Sequence, residues 1–271
     1  MSIANIFRQF LFIAFILFSL SCKKNYQIEF PKKIQIFGLN ILASEKTSDK
    51  KIIHAAKILA QYLDNNEDGT PDNQEVMDTL ISLDATLIMF ENEDEASSSD
   101  YKIPEHDNVQ GLWDDETIPS FDKNIKNMRF DATLEEVLHL ITHFGYSKVY
   151  TELSEKKGSD IASAMDLARG GYFENVPNVY PEDSWYSYDD ITCDYECMIT
   201  EYFYWTLTSI LGAQSYPGRF EEISDEWKLN SKEKVKSIDM KIYNLLTNEK
   251  FKLPITLPDS TYNGFSISLD W

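Results

Sequence analysis

Residues 64–75 read Asp-Asn-Asn-Glu-Asp-Gly-Thr-Pro-Asp-Asn-Gln-Glu, and no other stretch constrains the local fold as much. Oxygen-bearing side chains recur at alternate places, at Asp64, Asn66, Asp68, Thr70 and Asp72, and the run closes on Glu75. Gly69 holds the sixth place, where a sharp reversal of the chain is tolerated best by a residue without a Cβ. Six to eight converging oxygens are what a hard cation such as Ca2+ requires. Thr70 would offer its backbone carbonyl, Asp72 a direct or water-mediated contact, and Glu75 both carboxylate oxygens. A polar helix connection that happens to be acidic is the plain alternative, but it explains neither the fixed offsets nor the glycine.

Helical patterns flank the loop. Thr47, Ser48 and Asp49 supply capping chemistry ahead of IIHAAKILAQYL at 52–63, whose apolar residues recur at helical spacing, and 74–84 reads as a second helix. Over residues 48–82 the chain resembles the EF-hand family, which implies a helix–loop–helix unit holding one Ca2+ through Asp64, Asn66, Asp68, Thr70, Asp72 and Glu75. Pro71 departs from the pattern. At the eighth place EF-hands usually carry an apolar residue whose N–H pairs with a neighbouring loop, and proline has no N–H. A lone hand suits a structural role better than a sensing one, because sensors open paired hands. A fainter candidate, DSTYNGFSISLD at 259–270, lacks acids at Thr261 and Asn263 and has Pro258 where a helix should precede it. It reads as a turn.

Elsewhere 33–43 and 85–90 read as strands, 91–100 as an exposed acidic loop, and further helices are expected near 133–144, 160–169, 195–211 and 232–247. No fixed-period repeat and no long linker divides the chain. The expected fold is α+β and mainly helical, with the EF-hand unit near the N-terminus packed into a single globular domain over 33–271.

The apolar run at 10–20 follows Arg8 and stops at Ser21-Cys22-Lys23-Lys24. Eleven residues are too few to span a bilayer but match the apolar region of a secretory signal. Residues 1–21 resemble a bacterial lipoprotein signal, which implies export, lipidation of Cys22 and anchoring to a membrane of the cell envelope, with 22–32 as a tether. An ordinary cleaved signal with an incidental cysteine is the alternative. The net charge of −20 excludes a generic nucleic-acid binder, whose affinity comes from counterions released by basic residues. Yet 43% hydrophobic and 13% aromatic residues are ample for a core. Cys193 and Cys197 remain, and a spacing of four suits a bridge only if the pair lies at a turn before a helix proper.

The segment TLEEVLHLITHFGY at 133–146 is two-faced: Glu135, Glu136, His139 and His143 share one side and Val137, Leu138, Leu140, Ile141 and Phe144 the other. Histidines at i and i+4 can grip one metal ion, and the spacing weakly resembles the zincin motif HExxH. Leu140 stands where that family carries its general base, so Glu136 would have to substitute. From Cys197 to Gly218 the sole charged residue is Glu201, set among large apolar side chains. A carboxylate there needs a cation, a metal or hydrogen bonds. The resemblance implies Zn2+ held by His139, His143 and Glu201. A solvated helix face, or Glu201 bonded to a tyrosine or paired with Arg169, accounts for the same residues. The aromatic and acidic stretch at 172–190 suits either a ligand cleft or simple packing.

Two functions therefore compete. One is an exported, membrane-anchored calcium-binding protein with a structural ion; the other is a zinc-dependent hydrolase. Nucleophile, phosphate-loop and dinucleotide signatures are absent from the sequence.

Overall fold

The computed structural model describes residues 28–106, 108–126 and 128–269. The expected signal segment and Cys22 lie outside these residues. Strands β1 (Lys32–Ile36) and β2 (Leu39–Ala43) pair antiparallel. The expected single strand at 33–43 is thus a hairpin, folded at Phe37 and Gly38, both at positive φ (51° and 94°). Positive φ at both central residues matches the right-handed twist of the flanking strands. β3 (Thr86–Phe90) and β4 (Val109–Trp113) add in parallel, giving a mixed sheet of order β1-β2-β3-β4. Every residue of β3 is buried, as a central parallel strand requires.

Helices α1 (Asp49–Leu63) and α2 (Gln74–Ser82) form the crossover from β2 to β3. Ile52, Ala55, Ala56, Leu59 and Leu63 carry the buried stripe of α1, and α1 packs on the sheet and on α4 (Thr133–Ile141). Between β3 and β4, α3 (Glu93–Ser98) occupies the expected acidic loop. Asn92 caps it by accepting a bond from the Glu95 backbone, and three acids in its first turn complement the helix dipole.

Thr142–Tyr146 continue α4 as a π-turn into the short α5 (Ser147–Val149). Gly145 does not stop the helix. A Cβ there would lie 2.8 Å from Val76 Cγ1, so glycine is what lets α2 press against the turn. After α6 (Asp160–Ala168), the long α7 (Tyr195–Leu211) packs against α4, and α8 (Arg219–Ile223), α9 (Lys232–Ile238) and α10 (Met240–Leu246) complete the helical layer. The expected helix at 232–247 is broken at Asp239. Its buried carboxylate caps α10 while accepting bonds from Trp185 Nε1 at 2.8 Å and Tyr202 Oη at 2.5 Å.

The architecture is α+β, and one continuous apolar core joins the sheet to the helices. Among the described residues no helix is long and apolar enough to cross a membrane. Cys193 and Cys197 are bridged, with Cys193 ahead of α7 and Cys197 in its first turn. Asp194 is spent as the α7 N-cap, accepting from the Cys197 backbone at 2.9 Å.

Candidate functional site

Two regions bring chemistry-bearing side chains together. The first is the connection between α1 and α2. Asp64 closes α1 and is fully buried; its Oδ1 accepts from the Asp68 backbone at 3.1 Å and its Oδ2 from the Gly69 backbone at 2.8 Å. Asn66 accepts from Asp68 N, Asp68 from Thr70 N, and Asp72 from Asn65 N. Gly69 has φ of 88°. Short side chains that bond to nearby backbone in this way hold the loop in a tight curl.

The remaining polar residues of the unit face the C-terminal segment. Asn65 Oδ1 accepts from the Ile255 and Thr256 backbone, Gln61 bonds Asp259 and Ser260, and Glu67 accepts from Asn263. Tyr262 donates to Asp64 Oδ2 at 2.6 Å. The stretch from 259, expected to be a turn, is a non-helical strap bonded to this unit through Gln61, Asp64 and Glu67. Burial, followed by the charges on Asp64 and Asp68, pushes the Asp72 carboxyl above its ordinary range. The acids are thus only partly compensated by their own hydrogen bonds, and a cation fits that charge pattern. Glu75 is exposed in the first turn of α2. Among the described residues, the acids of this loop do not gather their oxygens as closely as the second region does.

In that second region α4 crosses α7, and Glu135, His139 and Glu201 each turn one ligand atom to within 4.8 Å of the others. His139 Nε2 lies 3.6 Å from Glu201 Oε2 and is buried without a hydrogen-bond partner. Tyr204 donates to Glu135 and Tyr188 to Glu201. Behind Tyr204, Gln214 Nε2 donates to its hydroxyl at 3.1 Å, and Arg219 Nε donates to Gln214 Oε1 at 2.8 Å. Burial first, and then the neighbouring Glu201, pushes Glu135 up to about 7. Burial likewise raises Glu201 to about 7 and depresses the His139 imidazole.

Two residues expected here lie elsewhere. The π-turn takes more than four residues per turn, so His143 is not stacked above His139. Its Nδ1 instead lies 2.8 Å from Glu155, a buried carboxylate that also accepts from Thr200 at 2.7 Å. Glu136 faces the other edge of the His139 ring, 3.9 Å from Nδ1, and accepts from Gln110 Nε2 at 2.5 Å. Arg169 is paired with Asp166 at 2.8 Å rather than with Glu201. Glu135, which on the polar face is an ordinary i, i+4 partner for His139, joins the group in place of the expected His143. Its offset of four from His139 was the available signal.

Val176–Tyr180, Tyr188, Asp189 and Ile191 line a cleft of about 730 Å³ against Glu222, Ile223, Asp225 and Glu226, so the aromatic and acidic stretch does form a cavity wall. Tyr188 joins this cleft to Glu201. Burial, then its bond from Trp205 and the Glu201 charge, leaves Glu226 at about 7 on the cleft floor. Comparison with protein-family models, curated proteins and solved structures returns no match, so any functional reading rests on the chain's own residues.

Proposed function

We propose that the chain is an exported calcium-binding protein, anchored to a membrane of the cell envelope through a lipidated Cys22, in which Ca2+ at residues 64–75 fastens the fold. One observation carries the calcium reading. The ligand places of an EF-hand are filled in order on a loop whose first residue, Asp64, is buried with both oxygens turned into the curl. Asp64, Asn66, Asp68, Thr70, Asp72 and Glu75 would hold the ion, which supplies positive charge where these acids repel one another. Asn65 and Glu67, set between the ligand places, bind the C-terminal strap instead. Pro71 cannot pair with a second hand, and the loop is held instead through Asp64 and Glu67, which bond the strap. The arrangement fits a structural ion better than a switch, because the loop is tied at both ends to the core. Calcium-dependent melting that disappears in Asp64→Ala tests it.

The second reading, a metal-dependent hydrolase, draws on the approach of His139 to Glu201 across α4 and α7. Glu136 is poorly placed as its base, since it faces Nδ1 and is held by Gln110. Hydrolysis of chromogenic ester and peptide substrates by zinc-loaded protein, lost in Glu201→Gln, tests this reading.

A further inference from the structure

The crossing of α4 and α7 leaves three polar groups facing one another, and among the described residues no lysine or arginine pairs with any of them. His139 is 6% exposed and its Nε2 has no partner, which leaves the desolvation cost of that nitrogen uncompensated. Glu135 and Glu201 are two carboxylates drawn to the same point. Arg219, whose charge reaches Glu135, is engaged with Gln214 and Glu222 and stacks on Phe130 at 4.3 Å. A single divalent ion would satisfy the nitrogen and balance both carboxylates.

We propose that Glu135, His139 and Glu201 form a binding site for a divalent first-row transition metal, with zinc the best match. The proposal goes beyond the calcium reading and does not require the site to be catalytic. An imidazole nitrogen argues against Ca2+ and Mg2+, which prefer all-oxygen shells, and the lack of a thiolate argues against Cu(I). One nitrogen and two carboxylate oxygens from three residues are within zinc's range and leave a fourth position for an exogenous ligand. Bonds of about 2.0–2.1 Å in a tetrahedron set neighbouring ligand atoms about 3.4 Å apart. The His139–Glu201 separation of 3.6 Å is close to that already.

The surroundings match a built site. Metal-bound carboxylates and imidazoles are characteristically oriented by a second layer of hydrogen bonds. Here Tyr204 orients Glu135 and Tyr188 orients Glu201, and Tyr204 is in turn fixed by Gln214 and Arg219. Glu136 sits on the Nδ1 side of His139, where a small closure would let it accept the Nδ1 proton and leave the Nε2 lone pair free for the metal. Tyr188, bonded to Glu201, also lines the cleft at Val176–Tyr180, so the group and the cleft are neighbours.

The test uses the purified full chain, stripped of metal by chelation and then supplied with excess Ca2+ so that the 64–75 loop does not compete. Titration with Zn2+ by calorimetry, with bound zinc counted after gel filtration, should give one zinc per chain. Glu135→Gln and Glu201→Gln keep the side-chain shape while removing charge, and each should weaken zinc by at least tenfold; His139→Ala should abolish it. Asp64→Ala should leave zinc binding unchanged, which separates this site from the loop even if the loop binds no calcium. Absence of bound zinc in the wild type overturns the proposal. So does zinc that survives both Glu201→Gln and His139→Ala, or that is lost only in Asp64→Ala.

Discussion

Tyr262 donates its hydroxyl to Asp64 Oδ2 at 2.6 Å across 198 residues of chain. The segment around Tyr262 therefore touches the first residue of the acidic loop. A bond from a neutral hydroxyl to a charged carboxylate contributes about 1.5–3 kcal/mol. Tyr262→Phe keeps the ring, and its edge contact with Phe265, while deleting the bond. Urea unfolding should show a loss within that range and a weaker response to calcium. Unchanged values for both would mean that the strap lies on the loop without fixing it.

His54 and Asp131 are a buried pair at 2.6 Å, and the other Asp131 oxygen accepts from the Ile118 backbone at 2.8 Å. The contact ties α1 to the start of α4. Removing one partner leaves the other buried without its hydrogen bond, so Asp131→Ala should cost about 1–3 kcal/mol. A loss below about 1 kcal/mol in chemical denaturation would mean that the neighbourhood repacks.

The disulfide between Cys193 and Cys197 closes a loop of five residues at the head of α7. Chain entropy for so short a loop predicts a stabilisation of about 2 kcal/mol. Replacing both cysteines with serine should reproduce that loss in urea without altering calcium binding, since the bridge lies at the head of α7 and residues 64–75 join α1 to α2.

Stability of the metal-free protein should depend on pH in an unusual direction. Glu135, Glu201 and Glu226 are each raised to about 7 with burial as the largest cause, so their ionised forms are disfavoured in the fold. Their contribution is fully present below the unfolded value near 4.5 and is lost as pH rises through about 7. His139, whose pKa is depressed, opposes this as pH falls below about 6.5, but Glu136 beside it, raised well above the ordinary carboxylate range by burial and then by Glu135, adds to the effect of the other three. Tyr188 and Tyr204 face the cluster as well, and burial raises both phenols above their ordinary range. Melting should occur several degrees higher at about pH 5.5 than at about pH 7.5, and the Glu135→Gln, Glu201→Gln double variant should flatten that slope. A slope of opposite sign would show that these carboxylates are solvated.

Much of the fold was legible because burial follows period. The stripe at Ile52, Ala55, Ala56, Leu59 and Leu63 marks α1, and Leu87 to Phe90 marks a central strand. What could not be read was set by neighbours. Gly111 and one fully buried residue gave β4 too weak a pattern. Asp239 breaks a helix because Trp185 and Tyr202 arrive from elsewhere to bond it. The candidate metal group shows the same division. His139 and Glu201 could be proposed from spacing and from a lone acid in an apolar helix. The exchange of His143 for Glu135 depends on a π-turn, and that in turn coincides with α2 pressing on Gly145. Such a packing effect leaves no periodic trace.

The central claim is that residues 64–75 hold Ca2+ and that the ion stabilises the fold. Its most direct test is the melting temperature of the full chain, first stripped by chelator and then given Ca2+ in excess, beside Asp64→Ala treated identically. Saturation at about one hundred times the dissociation constant adds about 2.7 kcal/mol, which for a chain of this size raises melting by about 5–10 °C. The wild type should show that rise and Asp64→Ala should not. An unchanged melting temperature in the wild type, or an equal rise in both proteins, would contradict the account.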